Sequence, residues 1–146
     1  MAGETAVPLA GGCLCGAVRY RISPPLRNVV YCHCRMCQRS GGAPVVPWIT
    51  VRAEGFVLER GAPVVYASSP KAERSFCGTC GTPLTFRYVK APRWIDVTLA
   101  SLDDPGMVPP RAHIWTSSRM PWLHIDDELP RHPEASPRST DPGAGT

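Results

Sequence analysis

Seven cysteines limit what this chain can fold into more than any other feature, because they fall into three short clusters and none is left over. Cys13 and Cys15 lie in "GGCLCGAV", Cys32, Cys34 and Cys37 in "YCHCRMCQRSG", and Cys77 and Cys80 in "FCGTCGT". Thiols two or three positions apart can converge on one metal ion as thiolates. The last cluster has the sharpest local signal. Gly78 sits inside it and Gly81 follows, and a glycine turn reaches positive φ without a Cβ clash. Such a turn also aims backbone N–H groups at the sulfurs. The competing chemistry of a C-x-x-C, a redox dithiol, belongs at a helix start in a βαβ setting. No such pattern surrounds Cys77.

Counting divides the sulfurs. A closed structural zinc site takes four ligands at ~2.3 Å, and Cys13 with Cys15 supplies two. Cys77 and Cys80 supply the other two, which would clip together segments more than sixty residues apart and stabilise the fold as a cross-link does. The plainer alternative makes Cys13 and Cys15 small buried hydrophobes. The remainder, Cys32, Cys34 and Cys37, is a three-thiolate set with an open fourth place, as catalytic zinc sites have. Its rival is a closed Cys3His site. His33 lies between two of the thiols and points away from an ion they share, so the remote candidates are His113 and His124. His113 reads equally as a packed polar residue, His124 as a polar residue near the domain end, and His132 as solvated. A partition of Cys32, Cys34, Cys77 and Cys80 at one ion would leave Cys13, Cys15 and Cys37 unexplained.

The rest of the chain reads as short strands. Its 146 residues fit one domain, and 17 prolines and 13 glycines leave little room for long helices. Period-two alternation in "AVRYRI", "LTFRY" and "WIDVTLA" suits half-buried antiparallel strands, with Arg19, Arg21, Thr85, Arg87, Asp96 and Thr98 on the faces away from the core. "VVPWITV" and "VVYA" are β-rich, and Pro47 pushes the former toward an edge or a bulge. Only "CRMCQRS" reads as helix, stopped by Gly41-Gly42, which places Cys37 near a helix start where the dipole favours a thiolate. The expected fold is mainly β, held by metal. Met1 to about Val7 reads as loose, and the apolar-poor tail, counted as disordered from 134 to 146, cannot offset its ordering entropy by burial.

No signal peptide or membrane-spanning run is visible, so a reducing, cytoplasmic location is expected, where clustered cysteines serve metals rather than disulfides. The formal charge of +4 says little about nucleic acid. Seven thiolates subtract seven and two Zn²⁺ ions restore four, leaving +1, and the lysines and arginines are scattered.

"GGCLCGAVRY", "CHCRMCQRSGG", "FCGTCGTPLTF" and "HIWTSSRMPW", followed by "DDELPRHPE", occur in this order. The series resembles the glutathione-dependent formaldehyde-activating enzyme family, which is related to centromere protein V. The resemblance covers residues 9–133 and implies a β-tent of short antiparallel strands with two zinc ions per chain. It implies a structural zinc on Cys13, Cys15, Cys77 and Cys80 and a catalytic zinc on Cys32, Cys34 and Cys37. It further implies a carbon–sulfur lyase-type activity: glutathione and formaldehyde, or another small thiol and aldehyde, forming S-(hydroxymethyl)glutathione or its analogue. Physical chemistry agrees with such a site, since a free thiol has a pKa near ~8.5 and is held as thiolate on zinc. Arg35 and Arg39, four apart, are candidate contacts for an anionic thiol, and Trp48, Trp115 and Trp122 are candidate pocket walls. The alternatives are a zinc-stabilised binding module without chemistry and a redox sensor using the triplet as oxidisable thiols.

Overall fold

A computed structural model describes residues 7–141. Of the loose start expected from Met1 to about Val7, residues 1–6 lie outside the described residues, as do the last five residues of the tail. The elements are β1 (Leu9–Gly12), β2 (Arg19–Ile22), β3 (Leu26–Cys32), α1 (Arg35–Gly41), β4 (Val46–Arg52), β5 (Phe56–Arg60), β6 (Val64–Ser69), β7 (Ala72–Phe76), β8 (Pro83–Tyr88), β9 (Trp94–Thr98) and β10 (Ala112–Ile114). The mainly-β expectation holds, with one α-helix of seven residues among those described.

The strands form two sheets. One has three strands in the order β1-β2-β5, the other seven in the order β10-β3-β4-β9-β8-β7-β6. All pairings are antiparallel except β10 with β3. Alternation explains the main core. Tyr20 and Ile22 from the first sheet, with Val18 just before β2, meet Val29, Ile49, Val51 and Val97 from one face of the second, and Leu99, Leu102 and Val108 join the same cluster. Arg19 and Arg21 point outward, where Arg19 pairs with Asp103. Pro47 lies on an interior strand rather than an edge. It is tolerated because β4 outruns β9 there: their ladder stops at Trp48↔Thr98, and Pro47 faces only Tyr31 of β3.

The opposite face of the large sheet does not face open solvent. Val30, Cys32 and Trp48 form a second apolar cluster on it with Cys37 of α1. Residues 130–141 run alongside. His113 N–H donates to the Pro130 carbonyl and Trp115 N–H to the Glu134 carbonyl, and Asn28 Nδ2 donates to the Arg138 carbonyl at 2.6 Å. The described part of the tail expected to be disordered, 134–141, is thus placed by polar contacts with the strands rather than by apolar burial. Among the described residues, no helix is long and apolar enough to cross a membrane.

Candidate metal centres and the cavity over the cysteine trio

The four sulfurs of Cys13, Cys15, Cys77 and Cys80 lie within 4.8 Å of one another. Cys13 and Cys77 are buried in the main core, whereas Cys15 is exposed. Two Sγ–Sγ distances in this group, 3.6 Å for Cys13–Cys15 and 3.8 Å for Cys15–Cys77, are far beyond the ~2.05 Å of a disulfide. They match the edge of about 3.8 Å that a tetrahedron with ~2.3 Å bonds requires. The turns deliver the expected donors: Val18 N–H reaches Cys13 Sγ, and Thr79 and Cys80 N–H reach Cys77 Sγ. Gly81 adopts φ +83°, the conformation its sequence position demands. Thr82 adds its hydroxyl, which lies 3.2 Å from Cys80 Sγ and accepts from Leu14 N–H. That hydroxyl, then backbone N–H groups, hold the Cys80 thiol down at about 5. The donor set suits a thiophilic cation such as zinc.

Cys32, Cys34 and Cys37 form the second group, again with sulfurs within 4.8 Å. Each comes from a different backbone setting: Cys32 ends β3, Cys34 is the N-cap of α1, and Cys37 lies in its first turn. The Cys34 sulfur accepts from Cys37 N–H at 3.2 Å, as an N-cap side chain does. Close contact with Cys32 and Cys37 holds the Cys34 thiol far down, at about 3, and pushes the Cys32 thiol up. The three sulfurs thus oppose one another's ionisation, and a soft cation is what would let all three be thiolates. No histidine nitrogen joins either group among the described residues, so the closed Cys3His alternative has no ligand here.

The histidines serve another purpose. His33 and His113 are buried, with His33 Nε2 and His113 Nδ1 2.8 Å apart. His113 Nε2 lies 2.9 Å from the Asp127 carboxylate, which accepts only, so His113 donates there and His33 donates to His113. The chain Asp127–His113–His33 fixes the residue between two trio ligands. Gln38 holds the same residue by donating to the His33 carbonyl. His124 lines a separate surface cavity with Arg119 and Arg131.

Above the trio opens a cavity of about 300 Å³. Its floor is a single cross-strand row, Arg74↔Phe86↔Asp96↔Thr50, one residue each from β7, β8, β9 and β4. Arg74 packs over Phe86, 4.8 Å from the ring centroid, and reaches Ser40 Oγ at 3.0 Å and Cys37 Sγ at 3.7 Å. Thr50 Oγ1 donates to Asp96 at 2.5 Å. Asp96 is half-buried and lines the cavity, and burial pushes its carboxyl up to about 6 against the pull of Thr50. Burial, then the Asp141 and Asp96 carboxylates, also raises the Tyr88 phenol. Trp48 and Trp115 are walls, as is Arg35 at the rim; Arg39 and Trp122 are exposed and take no part. Trp115 adopts φ +56°, alone among the described non-glycine residues in having positive φ. Residues 135–140 complete the enclosure through Ala135, Ser136, Ser139 and Thr140.

Neither Asp96 nor Arg74 was singled out by the sequence. Alternation correctly put Asp96 opposite Val97, but the face it put it on is cavity, not solvent. The one signal available was a carboxylate inside an otherwise apolar β run.

The profile of the family described as glutathione-dependent formaldehyde-activating enzyme matches residues 8–118. A Halomonas elongata protein carrying that family name is 30% identical over 131 residues, 81% of each chain. An uncharacterized lyase of Schizosaccharomyces pombe is 34% identical over 91 residues, 61% of this chain and 66% of its own. A crystal structure of a Rhodobacter sphaeroides protein superposes with a TM-score of 0.55 at 29% identity, covering 69% of this chain and 98% of that one.

Proposed function

Since the chain belongs to the glutathione-dependent formaldehyde-activating enzyme family, we propose that it is a zinc-dependent carbon–sulfur lyase-type enzyme acting on the adduct of a small thiol and an aldehyde. Formation of S-(hydroxymethyl)glutathione from glutathione and formaldehyde is the reference reaction. One observation carries the reading: three convergent sulfurs, Cys32, Cys34 and Cys37, with no fourth protein donor among the described residues, face a cavity large enough for an organic molecule. In this reading the Cys13–Cys15–Cys77–Cys80 group holds a structural zinc and the trio a catalytic one. Bound at the trio, zinc would keep a substrate thiol deprotonated at neutral pH.

The chain's own residues supply the remainder. The aromatic walls and residues 135–140 hold the two reactants together and limit water. As the carbon–sulfur bond forms, the carbonyl π pair moves onto oxygen, which needs a proton; the Asp96 carboxyl donates it and the departing thiol proton restores it. In the reverse direction the Asp96 carboxylate removes the hydroxyl proton as the bond breaks. A carboxyl near 6 suits both roles close to neutral pH. The fixed charge of Arg74 beside Cys37 favours the anionic state of the reactants.

The test uses the full-length protein loaded with zinc, metal analysis, and ¹H NMR of glutathione–formaldehyde exchange. Two zinc ions per chain and accelerated adduct equilibration are expected. Cys34→Ser should keep one zinc and lose the acceleration. A fully loaded protein that accelerates no thiol–aldehyde pair would instead be a zinc-stabilised binding module.

A further inference from the structure

The cavity says more about its occupant than the reference reaction does. Formaldehyde has two heavy atoms, about the size of a water, whose share of the liquid is ~30 Å³. The cavity holds about 300 Å³, so it is shaped by the rest of the adduct. Its apolar walls are Val30, Met36, Trp48, Phe86, Ile114 and Trp115, and the polar groups beside them, among them Asn28, Tyr88, Ser136 and Ser139, offer hydrogen bonds without charge. Its charges are few and mostly committed. Arg74 is engaged by Ser40, Cys37 Sγ and the Phe86 ring, and Asp96 is tied to Thr50. Only Arg35 is left at the rim, and it already donates to Gln38 Oε1 at 3.1 Å. Glutathione would bring two carboxylates and an ammonium group. Against this lining most of that charge would have to stay outside or be desolvated without a partner, which is costly.

We infer that the site is built for an adduct bearing an uncharged aryl or branched-alkyl group, seated among Trp48, Phe86 and Trp115, with any carboxylate confined to the Arg35 rim. This rests on the lyase-type reading of the trio and names its substrate class. The step is R–SH + R′–CHO ⇌ R–S–CH(OH)–R′. One carbon–sulfur bond forms, the thiol proton ends on the former carbonyl oxygen, and nothing is oxidised or reduced. The bulky group can enter as R or as R′.

Calorimetry on the zinc-loaded full-length protein decides between classes. Benzyl mercaptan should bind at least tenfold tighter than glutathione, with a more negative heat-capacity change than 2-mercaptoethanol, the mark of apolar burial. Glutathione binding as tightly as benzyl mercaptan overturns the inference, whatever the turnover. Two kinetic arms, benzyl mercaptan with formaldehyde and 2-mercaptoethanol with benzaldehyde, identify whether thiol or aldehyde brings the group. Tight benzyl binding with no turnover in any arm leaves the apolar site standing and removes the lyase reading instead. Met36→Lys, at an exposed rim position, adds a cation without touching the core and should narrow the benzyl-to-glutathione ratio at least fivefold. An unchanged ratio would count against the cavity as the source of the preference.

Discussion

Asp96 is the side chain whose behaviour the surroundings alter most visibly. Its folded carboxyl titrates near 6 because burial disfavours the anion, whereas an unfolded Asp titrates near ~3.9. The folded state therefore keeps its proton to higher pH than the unfolded chain does. The stabilisation this brings is complete below ~4 and is lost as pH rises through about 6. Compared with Asp96→Asn, the wild-type protein should lose about 1 kcal/mol of stability between about pH 5 and pH 7, measured by urea denaturation with both proteins zinc-loaded. A stability difference that stays flat over that range would mean the carboxyl is not held protonated by the fold. At this scale the cysteines were legible in the sequence, since sulfur spacing is itself the chemistry. Asp96 and Arg74 were not, because period two tells which residues share a face and leaves open what that face meets.

Among the elements, the short helix was readable to its ends. Its start uses Cys34 as a cap and its stop uses Gly42 at φ +62°, both local effects of residue type. Residues 134–141 were not readable, because their order comes from partners far away in sequence: Asn28, 110 positions from Arg138, and Trp115, whose N–H reaches the Glu134 carbonyl. Composition measures apolar burial and cannot register hydrogen bonds to a distant strand. Truncation after Pro133 should leave the far-UV circular dichroism unchanged. It should lower Tm by several degrees, for the loss of a few hydrogen bonds worth about 1 kcal/mol each. Tryptophan emission should also move to the red as Trp48 and Trp115 gain water. Unchanged emission would show that the segment does not wall the cavity.

For the molecule as a whole, the two sulfur groups occupy opposite faces of the large sheet and belong to different packing clusters. Cys77, 1% exposed, is part of the main core, so Cys77→Ser or Cys80→Ser should leave the zinc-loaded protein without cooperative unfolding by circular dichroism. Cys34→Ser should keep it. Equal damage from both kinds of variant would mean the groups do not divide the labour. The same layout has a consequence for how the protein is made. Synthesis runs from the N-terminus, and Cys80 leaves the ribosome well before residues 135–140. A nascent chain can therefore gather the Cys13, Cys15, Cys77 and Cys80 sulfurs into its core while the cavity over the trio still lacks a wall, so enclosure of the cavity trails assembly of the core.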